Sequence, residues 1–189
     1  MAMSATRVRY VADQGTSQFT VQAFASGLIA VVAHSPKIAI RDWTGTVDLT
    51  DGIPDSASLH VRVNAASLEV LDELADADRR EIHRVMNREV LETDRFPEIV
   101  YASTKVTADK LKEDNYRISV TGRLTLHGVS SDQDLVGQAA FGVDSARFYG
   151  TFKLLQSDYG IRIASIAGGT LKLQDELKFS FYVVARKAD

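Results

Sequence analysis

The sequence predicts an all-β fold with one short helix, in which about eight antiparallel strands form either a sandwich or a closed barrel. Three observations predict it. Over most of the 189 residues, apolar and polar side chains alternate with period two, which sets one face of each strand against an apolar interior and the other against water. That alternation favours antiparallel pairing, because parallel strands are apolar on both faces. Turn-like stretches, Asp51-Gly-Ile-Pro54, Glu113-Asp-Asn115 and Ser130-Ser-Asp132, separate the alternating runs. One segment alone has helical spacing. Closure into a barrel would remove the exposed sheet edges that a sandwich keeps.

Residues 1–16 read as an N-terminal segment of a single domain spanning 1–189. MAMSATRVRYVADQG lacks the apolar core of a secretory leader, so a cytoplasmic location is expected, or a periplasmic or secreted one if a leader precedes it. Further on, SGLIAVVAHSPKIAI holds an uninterrupted apolar run, Leu28 to Ala33. It is too short for a membrane span, which needs ~20 apolar residues. It also ends at His34, with Lys37 and Arg41 close behind. Because it does not alternate, both of its faces must be covered, by the interior on one side and by a helix or partner on the other. Leu28, Ile29 and Val31 are therefore expected in the wall.

Ile38 and Ile40 share one parity, and Trp43, Gly45, Val47 and Leu49 share the other. A β-bulge or bend at Arg41-Asp42 would reconcile them. Leu59, Val61 and Val63 alternate with His60 and Arg62. Asp78-Arg-Arg-Glu81 reads as a capping box with Asp78 at the N-cap, and Ile82, Val85, Met86 and Val90 follow at helical spacing. The helix should end before Phe96-Pro97. A barrel mouth is a natural place for its apolar stripe. From Tyr116 to Leu126 the even positions are apolar, Ile118 and Val120 among them. Ala146, Phe148, Gly150, Phe152 and Leu154 repeat the pattern, as do Leu177, Phe179, Phe181, Val183 and Ala185.

Composition excludes several functions. The net charge is −3, which leaves no electrostatic footprint for nucleic acid and no basic patch for an anionic membrane. There are no cysteines. No nucleophile elbow, P-loop, dinucleotide fingerprint or zinc-protease motif occurs. Among the histidines, His60 and His83 fall on polar faces and read as solvated. His34 and His127 end apolar stretches. Either could bond a ligand's polar head at a barrel rim, or simply bond backbone at a strand end. Asp72, Glu73, Asp76 and Asp78 lack calcium-loop order and read as a solvated helix start. Phe141, Phe148, Phe152, Phe179 and Phe181 point inward by parity, into a packed core or onto the wall of a hollow. Small inward residues, Gly45, Gly122, Ala139, Ala146 and Gly150, would leave space, and a barrel of ~8 strands has room for one small ligand.

Three stretches together resemble the YceI-like family of lipid-binding barrels. The first is Ser17-x-Phe19-x-Val21 followed by His34 and Asp42-Trp-Thr-Gly-Thr-Val47. The second runs from Asp78 to Phe96-Pro-Glu-Ile-Val-Tyr101. The third is Gly122-Arg-Leu-Thr-Leu-His-Gly-Val129, with Gln156-Ser-Asp-Tyr-Gly-Ile161 and Asp175-Glu176 downstream. The resemblance implies a lipocalin-like antiparallel barrel with a long apolar channel that holds a polyisoprenoid or similar amphiphile. The segment from Ala33 to Ile40 and the pair Ser130-Ser131 depart from the family's commoner pattern.

The expected function is therefore non-catalytic binding, carriage or sequestration of a long-chain lipid, polyisoprenoid or fatty-acyl, with no other cofactor and no metal. Expected ligand contacts are Val21, Leu28, Ile29, Val31, His34, Ile38, Ile40, Trp43 and Val61, with Met86 plugging one end. Ile118, Val120, Phe141, Phe148, Phe152, Phe179 and Phe181 complete the set. Asp158-Tyr159 is either part of that site or a fixed turn. Two other readings stand beside this one. A stress-response interaction module would have a filled interior. An enzyme acting on a lipid-like substrate would need an acid or base inside, such as His34 or Asp42. An apolar patch on an outer wall would favour a homodimer.

Overall fold

The computed structural model describes residues 6–26, 35–50, 53–163, 165–166 and 171–188. The strands are β1 (Arg7–Ala12), β2 (Gln18–Ser26), β3 (Lys37–Ile40), β4 (Trp43–Thr50), β5 (Ile53–Asn64), β6 (Leu68–Val70), β7 (Glu98–Lys112), β8 (Asn115–Leu126), β9 (Val129–Phe141), β10 (Ser145–Leu155), β11 (Ser165–Ile166) and β12 (Leu171–Lys187). One helix, α1 (Asp76–Val85), lies between β6 and β7.

Eight of these strands form a closed antiparallel ring in the order β1, β4, β5, β7, β8, β9, β10, β12, and β12 pairs back to β1. The fold is thus the barrel and not the sandwich. β2, β3 and β6 lengthen its wall. Along β12, β1 pairs at Ala185 to Lys187 and β2 takes over from Tyr182 down to Lys172. β1 and β2 are in effect one strand bent at Asp13–Ser17. Ser17 holds the bend: its hydroxyl donates to the Asp13 carbonyl at 2.6 Å and accepts from the Val184 amide at 3.0 Å. The first sixteen residues therefore include the strand that closes the ring. A second bend separates β3 from β4 at Arg41-Asp42, where the parity of the apolar positions changes.

The helix begins after Ala75, which makes no side-chain cap. The capping-box reading at Asp78 is thereby corrected. Asp76 and Asp78 lie inside the first turn, where their charge complements the helix dipole. Glu81 turns away from the N-terminus because Arg84 offers it two guanidinium nitrogens, at 2.7 and 2.8 Å. After Val85 the helix widens into a single π turn, Met86–Val90, with the Leu91 amide bonded to the Met86 carbonyl at 2.9 Å. The chain turns again through Glu92 to Phe96 before β7, as the proline requires. No helix among the described residues is long and apolar enough to cross a membrane.

The small inward residues do not leave the space expected of them. A Cβ on Gly122 would lie 2.5 Å from the Tyr101 ring, and one on Gly150 would lie 2.8 Å from Phe181. Gly150 faces Gly137 across the β9–β10 pair. Phe181 approaches both glycines. Each ring occupies the hollow its neighbour's missing side chain leaves, so the aromatics lie along the wall and away from the axis. Gly122→Ala should therefore destabilise the fold by about 1–3 kcal/mol through overpacking, partly offset by the smaller backbone entropy of alanine when unfolded. Denaturant unfolding of the two proteins would measure it, and an unchanged midpoint would show that both Tyr101 and the Ala102 carbonyl, 2.6 Å from the added Cβ, give way freely.

Candidate functional site

The barrel is hollow. Its interior is a cavity of about 540 Å³, within the usual range for small-molecule sites, ~300–1,000 Å³. Ile118, Val120, Leu124 and Leu126 of β8 all face it. At ~3.3 Å per residue they span roughly 26 Å along the strand, or about 20 Å along the axis at a tilt of ~40°. The site is a channel, longer than it is wide.

Its two ends differ. At one end Phe141 packs edge-on against Tyr10, Tyr116 and Phe148, with ring centroids 5.8–6.0 Å apart. Leu49, Ala146 and Ala185 are buried in the same cluster. These side chains form an aromatic floor. At the other end Ile82, Val85, Met86, Val90 and Leu91 of the helix and π turn face the channel. Midway, Phe152 stacks on Phe179 at 4.6 Å, and Phe19 stands edge-on to both Phe179 and Trp43. Phe152, Phe179, Phe181 and Ile118 point inward yet stay only half buried, because the lumen beside them is empty space and not packed atoms.

Every expected contact that lies among the described residues falls on this wall, though together they make up the smaller part of it. Val21, Ile38, Ile40, Trp43 and Val61 face the channel, as do Met86, Ile118, Val120, Phe141, Phe148, Phe152, Phe179 and Phe181. Leu28, Ile29, Val31 and His34 lie outside the described residues. The sequence reading omitted Val63, Leu124, Leu126 and Leu135, although each shares parity with a residue it chose. Leu91, Ile161 and Gln156 also line the channel but sit in turns, where no period marks them.

Ionisable groups stay largely outside. Glu81 is the one carboxylate among the described lining residues, and Arg84 pairs with it. Asp42 is exposed and accepts a hydrogen bond from Asn64 Nδ2 at 2.9 Å, so it is not an internal acid. His60 and His83 are exposed. His127 is a fastening: Nε2 lies 2.7 Å from Glu92 Oε2, Nδ1 lies 3.3 Å from the Tyr159 carbonyl, and its ring packs on Phe96. It ties the β8–β9 turn to the segment after the helix. Burial pushes the Tyr101 phenol up, and its hydroxyl donates to the Gln133 carbonyl at 3.1 Å. Among the described residues no group of acidic or histidine side chains is placed to hold a metal ion.

The Gln156-Ser-Asp-Tyr-Gly-Ile161 stretch is a turn after β10. Tyr159 and Ile161 are buried in the main core, and Gly160 takes a positive φ of 65°. Asp175 fixes it from β12, accepting from the Ser157 hydroxyl at 2.5 Å and the Ser157 amide at 2.8 Å. These bonds, led by the hydroxyl, hold the Asp175 carboxyl below the usual aspartate range. β12 shifts register between Leu173 and Leu177, which is how Asp175 reaches the turn.

A closed eight-stranded antiparallel barrel around an apolar channel, with a helix at one end, has the architecture of lipocalin-like proteins. Within that architecture the chain belongs to the YceI-like domain family, whose model matches residues 10–185. Among solved structures it is similar to Burkholderia cenocepacia BcnA, with TM-score 0.68 and 15% identity over 92% of this chain and 98% of that one. It is also similar to a polyisoprenoid binding domain from Saccharophagus degradans, with TM-score 0.67 and 10% identity over 95% and 98%. The Campylobacter jejuni YceI protein gives TM-score 0.63 and 16% identity over 83% and 88%. At these identities the likeness is one of fold. A UPF0312 protein of Enterobacter sp. (strain 638) is 28% identical over 127 residues, which are 64% of this chain and 60% of that protein. The chain thus spans about 60% of the length of that curated relative.

The Asp175 clamp has a pH signature. Its folded pKa lies below the unfolded value, so its stabilisation is complete above the ordinary aspartate pKa, ~3.9. It is lost as pH falls from there through the folded value. Thermal unfolding of the wild type should decline more steeply below about pH 4 than that of Asp175→Asn. Parallel pH profiles would show that the clamp contributes nothing.

Proposed function

We propose that the protein binds, and thereby carries or sequesters, a long-chain amphiphilic lipid of polyisoprenoid or fatty-acid type, without catalysing a reaction on it. One observation carries the proposal: a channel about 540 Å³ in volume, whose wall is apolar along almost its whole length. A ligand there needs no directional contact. Each buried methylene contributes about 0.8 kcal/mol. About ten of them give ~8 kcal/mol before ordering costs, the scale of a micromolar Kd. Selectivity follows from the length and width of the lumen, through clashes with chains that branch or overrun it.

Two further points support the reading. One structural relative is described as a polyisoprenoid binding domain. The exposed position of Asp42 removes one of the internal acids that catalysis on a lipid-like substrate would require. A ligand-free interaction module needs a filled core, which the open channel opposes.

The decisive test is a solvent extract of the natively folded protein, analysed by mass spectrometry beside native mass spectrometry of the intact chain. A stoichiometric long-chain lipid is expected. In Ile118→Trp, the indole should fill the lumen, cut retained lipid by at least about tenfold and leave the melting temperature within a few degrees, since half-buried Ile118 gives up little packing. Empty wild-type protein that also takes up no polyprenyl or fatty-acyl probe would sink the proposal.

A further inference from the structure

The channel is not uniformly apolar. Gln156 is the one fully polar residue buried among the described residues, at 4% exposure, and it lines the cavity. Its orientation is fixed by its own bonds. Nε2 points at two backbone carbonyls of β12, Gln174 O at 3.0 Å and Asp175 O at 3.5 Å, and only the amide nitrogen can face two acceptors. Oε1 must therefore point the other way. No hydrogen bond from a described residue reaches it. An acceptor set into an otherwise apolar channel wall is the kind of isolated polar group that fixes a ligand's orientation.

Resting on the lipid-binding reading above, we infer that Gln156 Oε1 is the polar subsite of the channel and takes a hydrogen-bond donor on the ligand's head: a hydroxyl or an amide N–H. The chemistry of the surroundings selects against a carboxylate. A carboxylate has no donor for Oε1, and the other lining groups near this end do not attract an anion: Glu81 is itself anionic, and Ile161 and Leu154 are apolar. Gln156 follows the last residue of β10, at the end opposite the Phe141–Phe148 floor. The head therefore sits at the helix end and the tail runs to the aromatic floor. The ligand class narrows to long-chain alcohols and amides.

Three ligands of matched chain separate the possibilities: geranylgeraniol, its methyl ether and geranylgeranoic acid, titrated into the delipidated full-length protein. The alcohol should bind about tenfold more tightly than the ether, equivalent to ~1.4 kcal/mol, and the ionised acid should be weakest. In Gln156→Leu the tenfold difference between alcohol and ether should vanish. The wild-type comparison stands even if that variant folds poorly, because it needs no mutation. Equal affinity for alcohol and ether in the wild type overturns the subsite and leaves lipid binding intact. Failure of all three to bind overturns the lipid-binding reading, and the subsite with it.

Discussion

The pairing of β12 with both ends of the ring is the constraint on which the rest depends. Its seventeen residues run against β10 on one edge, in unbroken register from Leu155↔Glu176 to Ser145↔Arg186. Its other edge is shared by β2 and then β1. A straight strand could not serve both. The Ser17 bend and the register shift at Leu173–Leu177 supply the curvature. With the seam made, every strand of the ring has a hydrogen-bonded neighbour on each side. Eight strands then set the bore at the size that side chains can just fill or a single ligand can occupy.

Which of those outcomes holds is decided on the wall. Tyr101 over Gly122, and Phe181 over Gly150 and Gly137, keep large rings flat against the sheet. Bulk that would close the bore is laid along its perimeter. The cost is apolar surface left facing a lumen, forgoing about 25 cal/mol per Å² of burial. A ligand that covers this surface binds the folded state alone and stabilises it by mass action. Folding and binding are therefore linked: the residues that give the channel its shape are the same ones whose burial a ligand would complete.

Much of this was legible because antiparallel strands keep an exact period of two. Parity on β8, β10 and β12 identified inward residues without any knowledge of partners. The change of parity between Ile40 and Trp43 located the bend at Arg41-Asp42. The helix stripe was legible from spacing, but its start was not: Glu81 had two competing partners, the helix N-terminus and Arg84, and only the fold shows which prevails. Nor did β1 announce itself. It is six residues long, and its role comes from meeting the far end of the chain. The glycines misled for a similar reason. Their side of the sheet was readable, but the ring lying over each belongs to another strand, Tyr101 for Gly122 and Phe181 for Gly150. Gln156 stands in a turn, where no periodicity separates an inward residue from an outward one.

The two ends of the channel are built on different physics, and this gives the molecule a direction. The floor is aromatic packing between strands joined by the short turns Glu113–Asp114 and Gly142–Asp144, so its opening would break the sheet itself. The helix end is closed by α1, which has no fully buried residue. It is held by separable polar contacts: Arg79 to the carbonyls of Val70 and Asp72, and His127 to Glu92. Segments with little buried apolar surface open at a lower free-energy cost than core strands. The helix itself therefore adds little to the core, and its hold on the barrel runs through these polar contacts and through Met86 and Leu91, which are buried in the main core just after it. Gln156, the buried glutamine of the lining, lies at that end, so an amphiphile with its tail on the aromatic floor would bring its head to rest beside it.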